Sequence, residues 1–139
     1  MILLDTNVLS ELTRLSPAPT VVEWLEENEP LPALPTVALA ELSYGIARLP
    51  GGRRKSSLGE FWLTLRDRFA GRTFAFDVRA SAAYGELVAA AERRGWKVHV
   101  GDGQIAAIAS VQNMSVATRD IDDFEPTGVR LINPWTSAS

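Results

Sequence analysis

The chain opens with four apolar residues, Met1 to Leu4, and stops at Asp5. An unbroken apolar run predicts a strand buried on both faces, because half-exposed strands alternate instead. Apolar residues then recur at Val8, Leu9, Leu12 and Leu15, a helical spacing that Pro17 and Pro19 interrupt. Val21, Val22, Trp24 and Leu25 predict a second short helix that runs out in the acidic segment 26–30. Residues 31–35 form an extended piece bracketed by prolines. Thr36 is placed to cap a helix carrying Val37, Leu39, Ala40, Leu42, Ile46 and Leu49, which ends at Pro50-Gly51-Gly52. Residues 53–69 predict an amphipathic helix with Leu58, Phe61, Trp62, Leu65 and Phe69 on one side. A brief strand follows at 73–76, and Asp77 caps a long helix that closes at Arg93-Arg94-Gly95. Residues 96–100 read equally as extended chain or loop. The remainder predicts a helix over 103–113, a strand over 115–118, a turn at 120–124 and a last strand over 129–132 before Pro134. Strands and helices alternate through short loops, which predicts an α/β sandwich with a mostly parallel sheet.

Composition narrows the chemistry. The 139 residues are 46% hydrophobic and 22% charged, as expected of one globular domain. There is no cysteine and a single histidine, His99. Disulfide frameworks, thiolate metal sites, cysteine nucleophiles and His-rich metal sites are therefore excluded. No apolar run approaches the ~18 residues of a membrane-spanning helix. The N-terminus lacks a basic leader and carries an acid at position five, so a cytoplasmic protein is expected. What remains as catalytic equipment is 17 carboxylates.

In α/β folds ligands sit beyond the carboxyl ends of the strands. Four places qualify. Asp5 ends the first strand. Glu41 lies one turn into a helix, in the apolar string Val37-Ala38-Leu39-Ala40-Glu41-Leu42. Asp102 sits between two glycines at a helix start. Asp120 follows the strand over 115–118, with Asp122 and Asp123 next. An ionised carboxylate at the end of a buried strand loses hydration and repels its neighbours. Several together require a counter-cation, and no Lys or Arg adjoins Asp5, Glu41 or Asp102 in sequence, although Arg119 is next to Asp120. Oxygen-only ligation suits Mg²⁺ or Mn²⁺, and such a site suits in-line phosphodiester hydrolysis. Taken singly, each acid has an ordinary alternative: an N-cap for Asp5, Asp77 or Asp102, a solvated face for Glu41, a polar turn for Asp122 and Asp123.

The opening Ile2-Leu3-Leu4-Asp5-Thr6-Asn7-Val8-Leu9-Ser10-Glu11 resembles the start of PIN-domain nucleases. So do Glu41-Leu42-Ser43-Tyr44-Gly45-Ile46, the stretch from Asp102 to Ile105, and Val116-Ala117-Thr118-Arg119-Asp120 leading to Asp123-Phe124. The tail Gly128-Val129-Arg130-Leu131-Ile132-Asn133-Pro134-Trp135 is similar to the branch containing VapC-type and FitB-like toxins. The resemblance covers essentially the whole chain. It implies a PIN-like three-layer α/β/α sandwich forming one domain over 1–139. It further implies a Mg²⁺- or Mn²⁺-dependent endoribonuclease, the toxin of a toxin–antitoxin pair, dimeric or higher. By this similarity Asp5, Glu41 and Asp102 are the core metal acids. The fourth is Asp120 or Asp123, with Asp120 nearer the strand end. Thr6, Asn7 and Thr118 would orient ligands or waters. A cognate antitoxin would silence the site by laying an apolar helix in a groove and reaching a cation into the acid pocket. Trp24, Leu25, Phe61, Trp62, Leu65 and Phe69 are bulky enough that some of them would line such a groove or a self-association face.

Two other classes compete. Gly101-Asp102-Gly103-Gln104-Ile105-Ala106 spells G-x-G-x-x-A, the pattern of a dinucleotide-binding oxidoreductase. It falls late in the chain, however, and an acid between the glycines would face the pyrophosphate. A non-catalytic partner acting within an antitoxin complex on promoter DNA would have no reason to keep every acid. Net charge is −3, yet residues 48–72 carry seven basic side chains against two acids, densest at Arg53-Arg54-Lys55. This is either a solvated helix face or a track for RNA phosphates. The four tryptophans read as packing residues, though one left exposed would offer a surface for stacking a base.

Overall fold

Alternation within each short strand decides the architecture. In the computed structural model, which describes residues 1–136, Ile2 and Leu4 point into one apolar cluster and Leu3 into another. Leu34 and Ala117 join the first cluster, Ala33 and Val116 the second. The strands that carry these residues therefore bury both faces, and helices must cover the sheet on both sides. The strands are β1 (Ile2–Leu4), β2 (Pro32–Pro35), β3 (Thr73–Phe74), β4 (Ser115–Ala117) and β5 (Leu131–Ile132). They are all parallel, in the order β3-β2-β1-β4-β5. The expectation of a mostly parallel sheet becomes a wholly parallel one, in a three-layer α/β/α sandwich.

The helices are α1 (Thr6–Leu12), α2 (Pro19–Asn28), α3 (Thr36–Ala47), α4 (Arg53–Arg68), α5 (Val78–Arg93), α6 (Val100–Gln112) and α7 (Ile121–Phe124). Helices α1 to α4 supply the first cluster, through Val8, Leu9, Val21, Trp24, Leu39, Leu42 and Leu65. Helices α5 and α6 supply the second, with Phe124 of α7. Asp77 caps α5 as expected, accepting the Ala80 N–H at 2.9 Å.

Several boundaries differ from the sequence expectation. Thr36 is the first residue of α3, not its cap; the cap is Pro35, which offers no side-chain bond. The last strand is two residues, and the stretch after Asp120 is a short helix rather than a turn. Helix α6 begins three residues early, at Val100, so Asp102 sits in its first turn. The six bulky residues divide, and Leu25 lines a small surface cavity with Leu12 and Val22. Trp24, Leu65 and Phe69 are buried, while Leu25, Phe61 and Trp62 are partly buried and pack against the same core. The Trp62 indole N–H donates to the Leu39 carbonyl at 2.9 Å. Among the described residues, no helix is long and apolar enough to cross a membrane.

Candidate active site

The strand order reverses between β1 and its two neighbours: β2 lies on one side and β4 on the other. In open parallel sheets this switch point, at the carboxyl ends, is where ligands bind. Leu4 pairs with Ala117, which brings the next residues, Asp5 and Thr118, side by side. Both are buried.

A short polar network fixes them. The Asp5 carboxylate accepts the Thr6 N–H at 2.7 Å and the Thr118 hydroxyl at 2.7 Å. The Thr118 oxygen in turn accepts the Asp120 N–H at 2.9 Å and an Asn7 amide hydrogen at 3.3 Å. The same Asn7 amide donates to the Asp120 carboxylate at 3.1 Å, and its oxygen accepts the Arg119 N–H at 3.4 Å. Thr118 and Asn7 thus clamp the ends of β1 and β4 and aim Asp5 and Asp120. Thr6 contributes its N–H; its buried hydroxyl has no partner among the described residues.

The remaining acids arrive from α3, α6 and α7. Glu41, Asp102, Asp120 and Asp123 line an open cleft of about 770 Å³ with Thr36, His99 and Gln104. Glu41 and α6 nearly touch: a Cβ added at Gly101 would stand 3.0 Å from Glu41 Oε1. Electrostatics ties the set together. Burial pushes the Asp5 carboxyl up to about 6, against the lowering effect of its bonds from Thr118 and Thr6; Asp102 and Glu41 raise it further. Asp102 also rises to about 6, first through burial and then through Asp123, Glu41 and Asp120, while His99 acts in the opposite direction. None of the five acids forms an ion pair among the described residues. Contrast Glu11, the other buried acid, which accepts the Ala18 N–H at 2.8 Å and pairs with Arg14 at 3.2 Å. Glu11 is neutralised and structural; the cleft acids are not neutralised.

The donor set is oxygen-only and forms no ion pair among the described residues; Arg119, which lines a small cavity with Asp120 and Asp123, lays its guanidinium over the Trp135 ring at 5.3 Å, so the set fits a hard divalent cation. Among the described residues, no three acidic or histidine side chains already stand together at metal-holding separations. The acids converge on one cleft without closing on a point.

Other expectations fare differently. Lys55 is committed to structure, its ammonium donating to the Ala47 and Leu49 carbonyls at 3.2 Å each. Arg66, Arg68 and Arg72 are paired with Asp67 or Glu29, leaving Arg53 and Arg54 as exposed cations without partners among the described residues. The G-x-G-x-x-A stretch follows no strand and lies inside the first turns of α6, so the dinucleotide reading fails. Its glycines serve packing: a Cβ at Gly103 would meet Tyr84 Cε2 at 2.7 Å. His99, Thr36 and Gln104 belong to the cleft although the sequence did not single them out. Only the spacing of His99, three residues before Asp102 and just ahead of a helix, pointed there.

The sequence pattern of the PIN domain matches residues 2–128. The chain is 40% identical to VapC ribonuclease Y4jK of Sinorhizobium fredii, across 99% of this chain and all of that protein. It is 39% identical to toxin FitB of Neisseria gonorrhoeae, across 97% of this chain and 99% of that one. The fold superposes with a TM-score of 0.94 on a chain of FitAB bound to an IR36 DNA fragment, at 38% identity, covering 100% of this chain and 99% of that chain.

Proposed function

The chain belongs to the PIN-domain family, and from that membership we infer that it is a metal-dependent endoribonuclease, the toxin of a toxin–antitoxin pair. The observation that carries this reading is the convergence of Asp5, Glu41, Asp102, Asp120 and Asp123 at the carboxyl ends of the strands, with no ion pair to any of them among the described residues. A cognate antitoxin is its partner, in a multimeric complex, and RNA is its substrate. It acts in the cytoplasm as a single domain.

Asp5, Glu41, Asp102 and Asp120, with Asp123 as the alternative fourth acid, would hold Mg²⁺ or Mn²⁺. Such an ion supplies activation of water and charge compensation at the leaving oxygen of a phosphodiester. The chain's own residues supply the positioning. Thr118 holds Asp5 and the backbone of Asp120 in fixed relation, and Asn7 orients the Asp120 carboxylate. Burial of Asp5 keeps its oxygens from bulk water. Arg53 and Arg54 offer phosphate contacts outside the cleft.

The deciding experiment compares wild type and Asp5→Asn on total RNA with Mg²⁺, with Mn²⁺ and with EDTA. Wild type cleaves only with the ion present, and Asp5→Asn does not cleave. RNA left intact by wild type, or cut equally by the variant, overturns the reading.

A further inference from the structure

Of the four tryptophans only Trp96 is largely exposed, at 58%. Its backbone is nonetheless rigidly set. Helix α5 ends in a Schellman turn: the Gly95 N–H donates to the Glu92 carbonyl at 2.9 Å and the Trp96 N–H to the Ala91 carbonyl at 3.0 Å. Gly95 takes φ +87°, which favours glycine. The indole is thus held on an ordered turn while more than half of it stays in solvent.

Trp96 does not stand on a bare surface. It forms one wall of a second cavity of about 400 Å³, with Arg94, Asp122, Glu125 and Pro126. The Arg94 guanidinium donates to the Pro126 carbonyl, which joins the end of α5 to the segment after α7. Residues that are neighbours in the chain divide between this cavity and the acid cleft. Asp122 lines the cavity while its neighbour Asp123 lines the cleft. Trp96 is three residues before His99, which also lines the cleft.

We propose that this cavity is a nucleobase subsite of the RNA substrate, selective for guanine. The proposal rests on the ribonuclease reading and extends it to a site that flanks the acids. The indole supplies the stacking face. Asp122 and Glu125 accept hydrogen bonds and donate none when ionised. Guanine alone among the four bases presents two adjacent donors, its ring N1–H and its 2-amino group, to a single carboxylate fork. Adenine and cytosine pair one donor with an acceptor, and uracil flanks one donor with two carbonyls; a carboxylate repels those acceptors. Arg93 and Lys97, exposed on either side of the turn, suit the adjoining phosphates.

The test measures binding apart from cleavage, by titrating the full protein with hexaribonucleotides in EDTA and following tryptophan emission. The probes are UUGUUU, the same sequence with inosine for guanosine, and hexauridylate. Wild type binds the guanosine hexamer at least about fivefold tighter than the other two, with quenching. Trp96→Ala removes both the preference and the quench. Trp96→Phe, which keeps a stacking ring and guards against misfolding, retains the preference without the quench. The double variant Asp122→Asn/Glu125→Gln keeps the quench and loses the preference. Equal binding of all three probes by wild type, or a preference that survives Trp96→Ala, overturns the proposal. So does a change in sedimentation on Trp96→Ala with RNA binding unaltered, which would assign the face to a second copy of the chain. Mg²⁺-dependent cleavage of total RNA by wild type separates the two readings. Cleavage without guanine preference removes only the base subsite, and guanine preference without cleavage removes only the nuclease.

Discussion

Asp5 is a destabilising residue kept in place by its surroundings. With its carboxyl raised from 3.8 to about 6, the folded protein binds a proton that the unfolded chain releases. Stability from this group is therefore fully present below pH 3.8 and is lost as pH rises through 6. The shift corresponds to about 3 kcal/mol. Asp5→Asn removes the charge, so in EDTA the variant should gain on wild type by about 2 to 3 kcal/mol between pH 4 and pH 7. Urea unfolding at a series of pH values reads this directly, and a gap independent of pH would count against it. Thr118 is the complementary case. Thr118→Val preserves shape but strips a hydroxyl that serves Asp5, Asp120 and Asn7. Loss of these bonds should cost about 1 to 3 kcal/mol and lower cleavage, whereas Thr118→Ser should retain most of both. If Val and Ser variants unfold at the same denaturant concentration, the hydroxyl network is not what holds this edge.

Elements place the acids, and here two glycines of α6 separate fold from site. A methyl group at Gly103 meets Tyr84 Cε2 at 2.7 Å and Val88 Cγ2 at 3.1 Å on the packed face of α5. Gly103→Ala should therefore destabilise by about 1 to 3 kcal/mol, read as a lower unfolding midpoint. A methyl at Gly101 meets only the mobile end of Glu41, at 3.0 Å. Gly101→Ala should leave the midpoint nearly unchanged and reduce cleavage by displacing that carboxylate. Equal stability losses in both variants would contradict this division. The same helix shows where sequence pattern stops being readable. Buried strands such as 2–4 are plain in the sequence because both faces are apolar. The start of α6 is not, because Gly101 and Gly103 are poor helix formers in isolation and are tolerated only where Glu41 and Tyr84 approach closely. Likewise, the acids at strand ends can be picked out singly, but their convergence follows from the strand order β3-β2-β1-β4-β5, which no local pattern encodes. Lys55 looked like part of a phosphate track until the α3–α4 connection placed two carbonyls beside it.

At the scale of the whole molecule, the charge that matters is concentrated at one sheet edge rather than expressed in the net value of −3. Two of the edge acids, Asp5 and Asp102, are held near 6 by burial and by their neighbours, so at pH 7.5 the fold stores like-charge repulsion there. A divalent ion that binds only the folded state relieves this repulsion and adds stability by mass action, about 2.7 kcal/mol at a hundredfold excess over Kd. Because ligand carboxylates must be ionised, that gain should be proton-linked. Thermal unfolding with Mg²⁺ or Mn²⁺ should therefore show a rise of several degrees at pH 7.5 over a sodium control of equal ionic strength. The rise should shrink toward nothing at pH 5, below both shifted carboxyls, and be absent in Asp5→Asn at either pH. A stabilisation that is equal at the two pH values, or that survives in Asp5→Asn, would place the ion elsewhere on the surface and leave the sheet edge without its proposed counter-charge.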